Sequence, residues 1–386
     1  MGDVNRVVVY GAGNIGRGIV SCLFSQAGYR LLFYSRGTEK LKAIQQSGGY
    51  SVYIQENGKK ISQKIEGFDI LSNEAALIQA LAEVDLAACC LYPAAFRDVA
   101  RVLAASARER RIRNNKKTLI VMLCCNEPGG AAKLQDDFQE EWKKQGGSGN
   151  ERTVRILPTI VNSVGFHTEI QSKFDVMISS NGYLEVELSD EDAQIFPAVE
   201  GIRRIPDAEG YLCRKLYLGN MFHTYAALLG KERGYHWMKQ CYADVEIKRK
   251  VKRAFAESEA ALLKTYKYHA AEYQNWREMM LAKMDIPSED DVERVLADLP
   301  RKLRRSDRLL GPLRLCIGKG CEYKELLQAV TLGLNFLARE THSKKGRDWL
   351  ISVCGLEPEN PIDQTIIRLL TAEEAQYGKC IESSNI

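Results

Sequence analysis

The chain has 386 residues, 45% hydrophobic and 27% charged, a mixture too apolar for a disordered polymer and long enough to bury the cores of two domains. Its 54 lysines and arginines against 50 aspartates and glutamates leave a net charge of +4, too small a surplus to require nucleic acid or an anionic membrane as partner. The apolar runs fall far short of the ~20 residues that cross a bilayer. The first residues run into a strand without the pattern of a signal peptide, so a cytoplasmic protein is expected. The eleven cysteines are odd in number, and Cys89, Cys90, Cys124 and Cys125 lie inside apolar runs, which fits buried free thiols better than disulfides. With no Cys-x-x-Cys, and no histidine near Cys316 and Cys321, no metal site is expected.

Taken in chain order, Arg6–Tyr10 reads as a short strand ending in glycines. Ile15–Ala27 carries apolar residues at helical spacing, and Leu31–Tyr34 reads as a second strand. Tyr50–Gln55 and Lys60–Ile65 flank Asn57-Gly58, the dipeptide of a tight hairpin. Asp85–Tyr92 and Thr118–Cys125 are continuous apolar runs, as strands buried on both faces require, and Ala94–Arg108 between them reads as a helix. The basic run Arg108–Lys117 reads as solvated surface, and Gly146–Gly149 as a surface loop. Val154–Leu157, Phe174–Ser179 and Tyr183–Leu188 read as strands that extend or cover the sheet. This alternation predicts an α/β Rossmann-type domain with a mostly parallel sheet. From about Pro206 helical spacing takes over, at Leu212–Leu229, Val245–Lys264, Asp290–Ala297, Tyr323–Glu340 and Ile362–Ala375. The expected organisation is a dinucleotide-binding domain over residues 1–205 and a mainly α-helical C-terminal substrate domain over 206–386, with a small ligand bound between them.

Gly11-Ala12-Gly13-Asn14-Ile15-Gly16 follows the first strand and opens the first helix. In that setting Gly11 allows the tight turn, Gly13 lets a pyrophosphate approach the backbone, and Gly16 lets helix and strand pack closely. The helix start adds unpaired N–H groups and a partial positive charge for the phosphates. An acidic residue that grips the ribose 2′-hydroxyl is expected at the end of the second strand, but the chain reads Tyr34-Ser35-Arg36-Gly37 there. Ser35 and Arg36 are donors suited to a 2′-phosphate, so the cofactor is NAD or NADP, with NADP favoured.

A second constellation opens the helical half: Lys215, Asn220 and His223 in Lys215–His223, KLYLGNMFH. On an α-helix, at ~100° per residue, Lys215, His223 and Asn220 fall at roughly 0°, 80° and 140°, within one broad face. A partly desolvated lysine has a lowered pKa and can act as general base toward an alcohol. Asparagine offers an amide donor to an oxygen that gains negative charge, and histidine a second donor or a substrate-orienting group. His236, beside Trp237, is expected to be packed; His269 and His342 are expected at the surface.

With GAGNIGRG (Gly11–Gly18), Cys124-Cys125-Asn126-Glu127, Val161-Asn162-Ser163, DDVERV (Asp290–Val295) and PRKLRRSDRLLGPL (Pro300–Leu313), these blocks resemble the polyol-specific long-chain dehydrogenases. The resemblance runs essentially end to end. It implies metal-independent hydride transfer between a polyol and a nicotinamide cofactor, with Lys215 as general base or acid, Asn126 and Asn220 holding the reacting oxygen, and His223 orienting the substrate. Three positions depart from the family pattern. Ser35 stands where the family has Asp. Cys125 replaces the Glu of a Cys-Glu-Asn, although Asn126 survives. Asn162-Ser163-Val164-Gly165-Phe166-His167 stands where the family has Asp-Ser-Ala-Val-Asp-Arg.

A phosphorylated substrate needs cations, and Arg301, Lys302, Arg304, Arg305 and Arg308 are dense in one stretch. Helical spacing turns only one or two of them inward; Arg301 and Lys302 are the expected substrate ligands. The expected reaction interconverts a hexitol phosphate and a ketose phosphate, most simply mannitol 1-phosphate and fructose 6-phosphate. The alternatives are a hexuronate or unphosphorylated polyol dehydrogenase of the same group, and a catalytically inactive nucleotide-binding sensor or scaffold. The partners expected are a small sugar phosphate or polyol and no macromolecule beyond a small homo-oligomer, if the protein is not a monomer.

Overall fold

The computed structural model describes residues 5–56, 59–148, 153–163, 165–179, 182–286 and 290–371. Two compact units divide at Met1–Glu209 and Gly210–Ile386, the division falling inside the helix Ala208–Arg214. Among the described residues no helix is long and apolar enough to cross a membrane.

The first unit is built on an eight-stranded sheet: β1 (Arg6–Tyr10), β2 (Arg30–Tyr34), β5 (Asp69–Ile70), β6 (Leu86–Cys89), β7 (Leu119–Cys124), β8 (Val154–Asn162), β11 (Tyr183–Glu187) and β12 (Ile202–Ile205). Its order is β12-β11-β8-β7-β6-β1-β2-β5, and every pair is parallel except β8 with β11. The mostly parallel Rossmann-type sheet is therefore as expected. Its central strands read VVV, LAAC and LIVMLC because both faces are covered. One core cluster joins Val8, Leu81, Leu103, Leu123 and Phe138, and a second, on the opposite side of β1, joins Val7, Val9, Phe24, Ile44 and Ile178. The strand order reverses between β1 and β6, the switch point at which open α/β sheets leave a crevice for ligands.

A second, four-stranded sheet was not predicted. It runs β4 (Lys59–Ile65), β3 (Tyr50–Glu56), β10 (Val176–Ser179), β9 (Gly165–His167). β3 and β4 form the expected antiparallel pair; the Asn57-Gly58 turn lies outside the described residues. Non-local pairing of β10 with β3 completes this sheet, and no local pattern encodes it.

Two local expectations are corrected. The run Arg108–Lys117 is not all solvated: Arg110 is fully buried at the end of the helix Phe96–Ile112. Its guanidinium donates to the carbonyls of Leu81 (3.0 Å), Val84 (2.7 Å) and Lys117 (2.7 Å), and with Asn115 Nδ2 on Ala82 O (3.0 Å) closes the end of the helix Glu74–Glu83. His236, expected to be packed, is exposed. Ten cysteines are free among the described residues, seven of them buried.

The second unit is helical. Its longest members are Val245–Thr265 and Lys324–Glu340. Asp244 caps the first through the Glu246 and Ile247 amides, and Glu257 accepts the first amides of the second, from Glu325 and Leu326.

Replacing Arg110 by Leu strands several buried carbonyls, and is expected to cost about 3–5 kcal/mol in urea unfolding. A loss under ~1 kcal/mol would show that the guanidinium is not holding that corner together.

Candidate functional site

The three glycines of the loop have different surroundings. Gly11 has φ +108°, and a Cβ there would lie 2.5 Å from the Cys90 carbonyl oxygen. A Cβ on Gly16 would lie 2.1 Å from the Gly11 carbonyl oxygen. By contrast, a Cβ on Gly13 meets no heavy atom within 4 Å. Two of the glycines thus fold the loop, and the third leaves its backbone open, the arrangement a pyrophosphate needs. The loop is tied to both neighbouring strands, since Gly11 N–H donates to Tyr34 O (2.9 Å) and Cys90 N–H to Tyr10 O (2.8 Å). A nicotinamide dinucleotide fits this loop, whose Gly11–Gly16 backbone would receive its phosphates.

The helix that follows is not the regular one expected over Ile15–Ala27. It opens as a π-turn at Gly16–Val20 and continues as the α-helix Ser21–Gln26. Gly18, at φ −89° and ψ −107°, leaves the helical range, and a Cβ there would press on Ile178 of β10 at 2.8 Å. The wide turn thus makes room for the second sheet. Ser21 Oγ donates to the Gly16 carbonyl at 2.6 Å and steadies it.

Arg17 was missed. It is buried inside the turn, donating from Nε to Ala12 O (3.1 Å) and from an Nη to Phe174 O (2.7 Å), while its own carbonyl accepts the Tyr50 hydroxyl at 2.8 Å. An arginine within a buried apolar helix start was the available signal.

At the end of β2, Ser35 is half-buried and Arg36 exposed. Neither Arg36 nor Lys40, in the helix Thr38–Gln46, makes a hydrogen bond or ion pair with the described residues. Partial burial, with the charge of Arg17, draws the Lys40 pKa down. Neighbouring charges are already matched, Arg101 with Glu74 (2.6 Å) and Lys42 with Glu39 (3.2 Å). This corner is therefore left with uncompensated positive charge.

Asn126, beyond β7, spends its carboxamide on β8: Nδ2 donates to Val161 O (3.1 Å), and Oδ1 accepts Val161 N–H (3.0 Å). One N–H remains for another acceptor. The divergent segment after Asn162 has a packing explanation. A Cβ on Gly165 would lie 2.9 Å from the Asn14 carbonyl oxygen, so β9 seats on the glycine loop itself. The Asn162 side chain is held by the buried Glu185 at 2.6 Å.

In the second unit, the expected helix over Leu212–Leu229 is interrupted at the motif. Ala208–Arg214 leads into a π-turn at Lys215–Asn220, and Met221–Glu232 follows as α-helix. A π-turn, bonded i to i+5, is wound wider than an α-helix, so residues five apart lie nearer to one face than they do on an α-helix. Lys215 and Asn220 bound this turn, and His223 lies three residues into the α-helix. The three therefore share a narrower strip than the α-helical angles predict. Lys215 and Asn220 are half-buried.

Both His223 nitrogens are engaged. Nδ1 lies 2.5 Å from the Tyr242 hydroxyl and Nε2 3.3 Å from Asp290 Oδ2. With Nε2–H donating to the carboxylate, Nδ1 accepts the tyrosine proton, so this network selects the tautomer. Asp290 also pairs with Arg294. Burial pushes the Asp290 carboxyl up, but His223 and Arg294 outweigh it and hold it well below the ordinary carboxylate range. Tyr242 was not singled out in the sequence, and Asp290 only as the start of DDVERV with no link to His223, since neither lies near His223 along the chain.

The basic segment is mostly compensated. Arg301 pairs with Asp298 (2.9 Å) and Asp307 (2.8 Å). Lys302 is buried and donates to the carbonyls of Val295, at 2.6 Å, and Ala297, which leaves at most one of its three protons free. Burial, then the charges of Arg308 and Arg301, lowers its pKa to about 8. Arg305 pairs with Glu357 and Asp363. Arg308 differs: its side chain is only 16% exposed, and among the described residues Nε alone is used, on Asp307 at 2.9 Å. Asp298, at the corner of this segment, has φ +57°, a strained value for a residue other than glycine.

A Rossmann domain with an open glycine loop, followed by a helical unit carrying Lys215, Asn220 and His223, defines the class: a nicotinamide-type dehydrogenase. The chain belongs to the mannitol dehydrogenase family, whose Rossmann domain matches residues 5–194 and whose C-terminal domain matches residues 207–367. It is thus an oxidoreductase of the polyol dehydrogenase kind. Among curated relatives, mannitol-1-phosphate 5-dehydrogenase of Shouchella clausii (strain KSM-K16) is 26% identical, over 94% of this chain and 100% of the relative. The enzyme of the same name from Podospora anserina is 24% identical, over 97% and 98%. Of solved structures, a ternary complex of Pseudomonas fluorescens mannitol 2-dehydrogenase with NAD and D-mannitol aligns with TM-score 0.68 and 14% identity, covering 87% of this chain and 80% of that one. Substrate-free D-sorbitol dehydrogenase aligns at 0.66 and 13%, covering 95% and 92%. Both solved structures share the fold.

The loop geometry predicts a separation of effects. Gly13→Ala should melt with the parent yet bind dinucleotide about tenfold or more weakly, whereas Gly16→Ala should lower the melting temperature outright. Equal behaviour of the two, in melting and coenzyme titration, would contradict these roles. A second expectation concerns pH. Because the Asp290 pKa is lower folded than unfolded (~3.9), its stabilisation is present above about pH 4 and disappears as pH falls further. The stability gap between parent and Asp290→Asn should be flat near neutrality and shrink below about pH 4; a gap that persists in acid would exclude the ion pairing as its source.

Proposed function

We propose that the protein catalyses reversible hydride transfer between a nicotinamide dinucleotide, NADPH in preference to NADH, and a hexitol phosphate/ketose phosphate pair, most simply mannitol 1-phosphate and fructose 6-phosphate. The observation that carries this is the single strip of Lys215, Asn220 and His223 in a chain of this family. The dinucleotide, when bound, donates or accepts the hydride. In reduction, Lys215 delivers a proton to the oxygen of the former ketone; in oxidation it removes the hydroxyl proton. Asn220 donates its amide N–H to that oxygen while charge develops on it, and Asn126 has one N–H left for the same task. His223, already held by Tyr242 and Asp290, orients the substrate hydroxyls rather than moving the proton itself.

The preference for NADPH is supported by Ser35 and Arg36, joined by Lys40. Each unpaired cation brought to a 2′-phosphate makes a charge-assisted contact worth about 1.5–3 kcal/mol. For the substrate phosphate, Arg308 is the better donor than the expected pair, since Arg301 and Lys302 have fewer protons to offer. The prior engagement of Arg301 and Lys302 also favours a second reading, a dehydrogenase of unphosphorylated polyols or hexuronates.

A spectrophotometric assay at the reduced-nicotinamide band, with NADPH and NADH against fructose 6-phosphate, fructose and fructuronate, tests both. Lys215→Ala should lose about 100-fold or more in kcat; undiminished turnover would remove the mechanism. Arg308→Gln should raise KM for fructose 6-phosphate about tenfold and leave fructose unchanged. Arg36→Ala and Lys40→Ala should each weaken 2′,5′-ADP binding about tenfold, with 5′-AMP unaffected; parallel losses for both ligands would argue against a 2′-phosphate site.

A further inference from the structure

The spacing of the proposed catalytic residues, five and then three, does not suit a regular α-helix. Five residues there turn through ~500°, leaving Asn220 about 140° from Lys215. A π-turn between them narrows that offset, and the next three residues return to α-helical spacing for His223. A π-turn is costly on its own, because its wider ring loosens packing along the axis, so something outside it has to hold it open.

The second unit supplies two such supports. Ser258, fully buried in the helix Val245–Thr265, donates from Oγ to the Tyr217 carbonyl at 2.9 Å, in the middle of the turn. Trp276 touches both ends. Its ring centre lies 4.7 Å from the guanidinium carbon of Arg214, the residue just before the turn. At the other end, a Cβ on Gly219 would lie 3.9 Å from Trp276 Cζ2 and 3.2 Å from Met280 Sδ. Tyr211 takes another position around the buried Arg214, at 4.3 Å, so the guanidinium is fixed by rings as well as by Glu272 at 3.4 Å. Glycine at 219 leaves room for the Met280 sulfur, while the indole would sit at ordinary contact distance from a side chain there.

We propose that Ser258 and Trp276 are positioning residues that hold Lys215–Asn220 as a π-turn, and that this turn aligns Lys215, Asn220 and His223 for proton transfer. The proposal rests on Lys215 being the proton-transfer group, as argued above. Neither residue meets the substrate or the dinucleotide in this account; each acts through the turn.

The test compares Ser258→Ala, Trp276→Leu and Lys215→Ala in the full-length protein. Each is assayed for kcat and KM, for the pH profile of kcat/KM, and for NADPH affinity by nicotinamide fluorescence. With the turn relaxed toward an α-helix, Lys215 rotates away from Asn220. Ser258→Ala and Trp276→Leu should then lose about 10- to 100-fold in kcat, a scale typical of small misplacements. NADPH affinity should stay within about twofold, and the lysine-dependent limb of the pH profile should move. Two outcomes overturn the proposal: parental kcat and pH profile in both variants, or losses of kcat matched by equal losses of NADPH affinity, the mark of general damage. If Lys215→Ala itself retains turnover, the assignment of the lysine fails first and is recognised separately.

Discussion

The Gly11 carbonyl oxygen occupies the space that any side chain at position 16 would need. This backbone-to-backbone approach sets the path of the chain out of β1, and the rest of the first unit follows from it. The loop can turn back only because Gly11 accepts a positive φ, and it can seat on β1 only because Gly16 has no side chain. What remains outward is Gly13, with open space before it. The open backbone that suits the loop to an anion is thus what is left once steric exclusion has placed the other two glycines. Arg17 then fixes the arrangement from inside, tying the Ala12 carbonyl to the approach of β10, so the second sheet and the loop are one construction.

Both segments that carry the candidate chemistry leave the α-helix in the same way. Gly16–Val20 and Lys215–Asn220 are each π-turns that pass directly into an α-helix. In each, a buried serine hydroxyl donates to a carbonyl of the turn, Ser21 to Gly16 and Ser258 to Tyr217. In each, a glycine admits a neighbour that a side chain would crowd: Gly18 admits Ile178, and Gly219 admits Met280. The physical logic is common. A widened turn changes which residues lie in line, and small residues together with side-chain donors offset the loss of regular packing.

That feature also marks the limit of what the sequence could show. The strands were legible because runs such as Leu119–Cys124 have only one use in a sheet covered on both faces, and the glycine loop because its spacing has a steric cause. Lys215, Asn220 and His223 were legible as a group, but their geometry was not, since a helical wheel presumes the α period. Arg110 looked like part of a solvated run because its partners, Leu81 and Val84, are distant in sequence. Tyr242 and Asp290 were invisible beside His223 for the same reason, and the second sheet escaped because β10 pairs with β3 across more than a hundred residues.

Charge pairing separates the basic residues that support the structure from those left to meet a ligand. Arg101, Arg301 and Arg305 are each held by carboxylates through two of their N–H groups, and Arg110 and Lys302 by backbone carbonyls, so each is already committed to the fold. Among the described residues Arg36 and Lys40 have no such partner, and Arg308 has only Asp307, through Nε. An unmatched cation on an open surface carries little information, because water satisfies it. Arg308 is different: it is recessed, its neighbours Arg301 and Lys302 are also cationic, and burial lowers its pKa, with Asp307 only partly offsetting that effect. A guanidinium kept in such surroundings with donors to spare is stabilised by the arrival of an anion more than an exposed one would be. On the proposed function this places the selectivity for a phosphorylated sugar on Arg308, and leaves Arg301 and Lys302 to hold the corner at Asp298 on which Arg308 depends.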